Sequence, residues 1–287
     1  MTSMMELLAE DATFAATTSD RAVLVTFRDL GMTHAANVGI YHALRTTRAS
    51  ASLAVPCPWA REASSRYQRQ DVGVQLTLNA QHDLYRWGPI THAPSLVDGN
   101  GGFPTTTHDL WEHADLDEVR RECRAQIERA AIWGIDITHL VSHLDVLAMR
   151  AEFFDVLLEL AHEFSLPLGL PDPEQSELAG FPLRSLARDE GVYFPDQTVD
   201  LMHSTPTAET LSTVLAALPT GVTELRFSPT IPSPEIEALS ADWHNEVAQY
   251  EFLTQASPVT LDSLARDHAI AMVTFGQIRD LQRRAST

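Results

Sequence analysis

Short apolar runs alternate with amphipathic stretches along most of the chain, and the period of each predicts its element. Ala22-Val23-Leu24-Val25-Thr26-Phe27 is an apolar run that ends in Arg28-Asp29-Leu30-Gly31. It predicts a buried strand over 22–27 with polar side chains at its carboxyl end, then a tight turn into a helix near His34. That helix carries Val38, Ile40, Tyr41 and Leu44 at helical spacing. Residues 51–55 read as a second strand, stopped by Pro56 and Pro58. Residues 71–79 alternate, with Val72, Val74, Leu76 and Leu78 on one face and Gly73, Gln75, Thr77 and Asn79 on the other.

Residues 115–133 are the clearest helix. Asp115 with Glu118 resembles a capping box, and Gly134 closes the end. A strand over 135–143 follows and presents His143. Further on, 153–164, 208–218, 234–253 and 259–268 predict helices, and 166–170, 222–227 and 269–275 predict strands. Residues 4–9 read as a short helix, 60–67 as a weak one and 171–197 as irregular. Strands alternating with helices imply parallel βα units. Six or seven such units fit an irregular (β/α) barrel of about seven parallel strands better than an open sheet. No repeat or linker interrupts the chain, so residues 1–287 are expected to form one domain. Residues 80–112, with Tyr85-Arg86-Trp87-Gly88-Pro89 and a Gly/Asn-rich turn at 98–102, are expected to be an inserted lid or surface hairpin.

Composition narrows the partners. The net charge is −19 and every basic residue is Arg, which disfavours nucleic acid and anionic membranes. Hydrophobic content of 44% suits a folded core, yet no segment is long enough to span a bilayer. Cys57 and Cys123 lack metal or redox spacing and predict free thiols in a cytoplasmic protein. In α/β folds chemistry collects at the carboxyl ends of strands. Three such ends offer polar groups: Arg28-Asp29, Gln75 and His143. Asp and His from separate strands suit a divalent metal, although a His at a strand end is more often structural.

The motifs Arg28-Asp29-Leu30-Gly31-Met32-Thr33-His34-Ala35, Gly73-Val74-Gln75-Leu76-Thr77-Leu78 and Thr138-His139-Leu140-Val141-Ser142-His143 occur in this order. So do Val55-Pro56-Cys57-Pro58-Trp59 and Gly221-Val222-Thr223-Glu224-Leu225. Together they resemble the YdjC/ChbG family of carbohydrate deacetylases, essentially end to end. The resemblance implies an irregular barrel related to NodB-type deacetylases, and dimers are common in the family. It implies hydrolysis of the acetamide of N-acetylated sugars, with magnesium or zinc held by an Asp and two His. The metal would polarise the amide carbonyl and activate a water, and a further Asp would act as general base.

Several site positions depart from that pattern. Asp29 and His143 match the family's ligands, but Gln75 stands at a ligand-His position and Arg28 at the general-base position. Val141 replaces an Asp, and Ser228-Pro229 replaces His-Pro. A permanent positive charge about 4 Å from a cation is repelled by several kcal/mol in a partly buried site. One reading is therefore a rearranged deacetylase with metal, in which Asp145 is the substitute base and His34, His82 and His92 are substitute ligands. The other is a pseudo-deacetylase, without tightly held metal, that still binds a glycan or another small acetylated ligand. Thr77, Tyr85, Trp87, Phe103 and Ser228 are candidate ligand contacts, the three aromatic residues being equally suited to loop packing.

Overall fold

The computed structural model describes Met5, Leu8 and residues 19–285. Met5 and Leu8 are helical, and the rest of the helix expected over 4–9 lies outside the described residues. Among the described residues eight strands pair in parallel: β1 (Arg21–Leu30), β2 (Ser50–Leu53), β3 (Val72–Leu76), β4 (Ile137–Ser142), β5 (Leu168–Gly169), β6 (Gln197–Asp200), β7 (Gly221–Phe227) and β8 (Ala271–Val273). Their order is β5-β4-β3-β2-β1-β7-β6, with β8 beside the first half of β1. Residues Ala22 to Arg28 are all buried, as a central parallel strand covered on both faces requires.

The sheet curls until its edges meet through side chains rather than a ladder. The Leu170 carbonyl, just past β5, accepts from Thr198 Oγ1 on β6 at 2.9 Å and from Arg226 Nη2 on β7 at 2.7 Å. A Cβ on Gly169 of β5 would sit 3.3 Å from Glu224 Oε2 on β7. The result is the expected irregular (β/α) barrel. Gly73 is explained by the same crowding: a Cβ there would lie 2.4 Å from both the ring and the carbonyl of His139. His139 itself is interior, stacked on Phe275 with ring centroids 4.0 Å apart and hydrogen-bonded to Ser52 and Thr138.

Several elements differ from the sequence expectation for local reasons. The stretch 171–197 contains helices Pro173–Leu178 and Leu183–Asp189, the first capped by the Asp172 side chain. Gln197-Thr198-Val199-Asp200 forms β6 although only one of its residues is aliphatic, because it pairs along β7. The helix expected over 234–253 breaks into Pro234–Leu239 and Trp243–Thr254. The last strand stops at Val273, because the Phe275 amide donates to Ser50 Oγ and a helix, Phe275–Ala285, begins there.

The excursion after β3 contains no strand. It is a loop with one 3-10 turn, Pro94–Leu96, leading into the helix Thr107–His113. Carboxylates of the helix Leu116–Ile132 fasten it. Glu122 accepts from the backbone of Ile90 and Thr91, and Glu118 accepts from Ser95. Glu118 therefore does not close the expected capping box; Asp115 alone caps the helix, accepting from the amides of Asp117 and Glu118.

Candidate functional site

A bulge at the end of β1 shapes the site. Phe27 pairs with Ala51 and Leu30 with Leu53, so Arg28 and Asp29 together oppose Ser52. The extra residue breaks strict alternation, and both side chains reach the same cleft at the carboxyl ends of the strands. Asp29 takes a left-handed conformation, φ 66°, as do Leu144 and Asp145 beside His143 at 51° and 53°. Such non-glycine conformations cost about 1–3 kcal/mol each and gather at functional sites. Here all three line the cleft, whose volume is about 470 Å³.

Asp29, Gln75 and His143 do converge. The Asp29 amide donates to Gln75 Oε1 at 3.2 Å, which fixes the orientation of the Gln75 amide. Its nitrogen then lies 2.9 Å from Asp29 Oδ1 and 2.7 Å from His143 Nδ1. His143 Nδ1 accepts this bond, so the ring carries its proton on Nε2 and donates to Gln81 Oε1 at 2.9 Å. Burial, partly opposed by Asp29, pushes the imidazole below its usual value and keeps it neutral near pH 7. Asp29 Oδ2 accepts from Ser228 Oγ at 3.0 Å. Ser228 is held in turn by Gln249, which accepts from its amide and donates to carbonyls of the 201–204 segment.

This donor set does not fit a divalent metal. Asp29 Oδ1 and His143 Nδ1, the atoms that face each other and would share a cation, both accept from one amide NH2 of Gln75. Among the described residues no group of three or more His, Cys, Asp or Glu is arranged to hold a metal ion.

The guanidiniums of Arg28 and Arg226 form the floor of the cleft. Glu224, wholly buried, accepts from Thr26 Oγ1 at 2.7 Å and pairs with Arg28 Nη2 at 3.3 Å and with Arg226 Nε at 3.4 Å. Arg226 also pairs with Asp145 at 3.3 Å. Burial would raise the Glu224 carboxyl, but Arg226 and Arg28 hold it below its usual value. The sharing is unequal. Burial opposes charge on both arginines; Glu224 and Asp145 outweigh it at Arg226, which is raised, but not at Arg28, which is lowered. Asp145, the expected substitute base, lines the cleft but is engaged by Arg226.

The remaining expected contacts lie elsewhere. Thr77 is buried and its hydroxyl bonds the Gln75 carbonyl. Phe103 is wholly buried, and Trp87 is 4% exposed with its Nε1 on the Asn79 carbonyl. Tyr85 is half-buried and donates to the Met32 carbonyl at 2.6 Å. None of these four lines the cleft, and their surroundings are those of packing residues. Ser228 and His82 do line it; His34 packs against Trp59 instead, ring centroids 5.1 Å apart and tilted, and His92 lies outside. Glu224, Arg226, Gln81 and Gln249 were not foreseen. The charges of Thr223-Glu224-Leu225-Arg226, set within an apolar strand, were the available signal for the first two.

Comparison with known proteins agrees with the fold. The profile of the YdjC-like protein family matches residues 22–266. A carbohydrate deacetylase of Thermus thermophilus is 35% identical over 237 residues, covering 80% of this chain and 85% of that protein. One of Thermoanaerobacter pseudethanolicus is 25% identical over 266 residues, covering 90% and 99%. A crystal structure from Enterococcus faecalis V583, of a protein assigned provisionally to cellobiose-phosphate cleavage, superposes with a TM-score of 0.77. At 23% identity over 91% of this chain and 99% of that one, the likeness is one of fold. With its family profile spanning most of the sequence and its barrel the same, the chain belongs to the YdjC-like family.

Proposed function

We propose that the chain binds an acetylated carbohydrate in the cleft and does not carry out metal-dependent deacetylation. The relatives named carbohydrate deacetylases support the ligand class. The observation that carries the loss of metal chemistry is the Gln75 amide bridging Asp29 and His143. A neutral NH2 donates to both groups at once, and the imidazole stays neutral without a cation. No carboxylate stands at the base position, where Arg28 is, and a missing general base alone costs about 10²–10⁴ in rate. Binding groups remain: Ser228, Gln81 and His82 beside the apolar side chains of Met32 and Ile236.

The test is acetate release from N-acetylated chito-oligosaccharides with added magnesium or zinc, for the natural protein beside an Arg28→Asp/Gln75→His variant. The natural protein is expected to release none and to retain no stoichiometric metal after dialysis, while the variant gains metal and turnover. Chelator-sensitive acetate release by the natural protein would sink the reading.

A further inference from the structure

Arg28 is the side chain in the cleft with the most unused capacity. It is 5% exposed, and among the described residues its guanidinium makes a single hydrogen bond, Nη2 to Glu224 Oε1 at 3.3 Å. A guanidinium has five N–H donors, and leaving buried donors unpaired is costly. Arg28 Nε has no partner among the described residues. Arg226 Nε also lacks a hydrogen bond among the described residues and meets Glu224 only as an ion pair at 3.4 Å, but both of its terminal nitrogens are taken, by Asp145 and by the Leu170 carbonyl. A buried cation lining a cleft with most of its donors free is a site waiting for an acceptor.

The charges select the kind of acceptor. Arg28 and Arg226 face three carboxylates, Glu224, Asp145 and Asp29, so the floor already carries excess negative charge. A carboxylate or phosphate would add another anion to a poorly solvated place. A neutral carbonyl oxygen accepts the same N–H bonds without that repulsion. Met32, Ala36, Ile236 and Leu239 line the same cleft and suit a small apolar group such as an acetyl methyl. We propose that Arg28 is the specificity-determining residue of the cleft, donating to the carbonyl oxygen of an intact N-acetyl group on a neutral sugar. This rests on the carbohydrate-binding reading above and gives it a selectivity: the acetylated sugar binds more tightly than its free-amine counterpart.

The experiment is calorimetric titration of the full chain with a chitotriose and with the corresponding glucosamine trimer. It is repeated on Arg28→Met and on Arg28→Lys, which keeps the charge opposite Glu224 if the methionine variant fails to fold. Alongside, the Arg28 Nε–H resonance, identified by its loss in Arg28→Lys, is followed during both titrations. The acetylated trimer is expected to bind at least tenfold more tightly than the amine trimer. Either variant should lose that preference, and the Nε–H resonance should shift only with the acetylated trimer. Equal binding of the two trimers, or a preference kept without Arg28, overturns this inference and leaves the carbohydrate reading standing. Binding of neither trimer overturns both.

Discussion

Glu122 and Glu224 are both wholly buried carboxylates, and they are satisfied in opposite ways. Glu122 fastens the excursion after β3 with neutral donors: the amides of Ile90 and Thr91, the Thr91 hydroxyl and the Gln126 side chain, at 2.6–3.1 Å. Glu224, beneath the cleft, has one neutral donor, Thr26, and otherwise two guanidiniums at longer range. Hydrogen bonds from neutral groups hold a carboxylate in place without adding charge to the interior. Guanidiniums add charge and leave donors over, and a buried ionic cluster is weak support for stability. The first arrangement secures a loop; the second keeps charge where a ligand can meet it. Replacing each acid tests whether that distinction holds.

The largest effect is expected from Glu224→Gln. Removing Glu224 takes, among the described residues, the one carboxylate hydrogen-bonded to Arg28 and one of the two paired with Arg226, a loss of about 3–5 kcal/mol in denaturant unfolding. Adding Arg28→Met should recover part of it, because the buried guanidinium that loses its hydrogen-bond partner goes too. The pH dependence follows from the lowered carboxyl. Its folded value lies below the unfolded value of about 4.3, so its contribution is complete above that pH and fades as pH falls further. Glu224→Gln should therefore flatten the acid side of the stability–pH profile. A loss under about 1 kcal/mol, judged against net contributions of single hydrogen bonds, would mean that the floor is no more ionic than the loop anchor.

Glu122→Gln should be milder, about 2–3 kcal/mol, since the amide keeps one acceptor but turns its NH2 towards backbone donors. No arginine substitution should rescue it. Limited proteolysis should show new cleavage near the Asp98–Gly101 turn, since the segment it anchors contains no strand to hold it. Rescue by removing an arginine, or an unchanged cleavage pattern, would show that the loop is held by charge or by its own packing.

How much of this was legible depends on whether the deciding partner is close in sequence. The strand of 22–27, the helix from His34 and the helix of 116–132 come from apolar periodicity and capping residues, which are local. The convergence of Asp29, Gln75 and His143 followed from strand ends in a parallel fold. The bulge at Arg28-Asp29 depends on pairing with β2, and β6 on pairing with β7, so neither shows in its own residues. The aromatic residues of the excursion look alike in sequence whether they stack on a ligand or fill the interior. Trp87 and Phe103 are drawn inside because Glu122 and Asn79 tie the loop down around them. Nor does a glutamine at a ligand position announce that its NH2, rather than its oxygen, faces Asp29; the backbone amide of Asp29 decides that.

The smallest expected effect is that of Ser228→Ala, and it sharpens the comparison from the cleft side. Ser228 Oγ supplies one of the two side-chain bonds to Asp29, the other coming from Gln75. The Asp29 side chain is 21% exposed, so water can take the vacated position, and the loss should be about 1 kcal/mol or less. Thermal unfolding at neutral pH measures it. A loss well above 2 kcal/mol, the scale of an acceptor stripped of a buried partner, would place Asp29 with Glu122 among the sealed structural acids. A small loss instead leaves Asp29 as an acceptor that solvent can reach. A carboxylate open to water in this way can exchange that water for a sugar hydroxyl, which Glu122 cannot do.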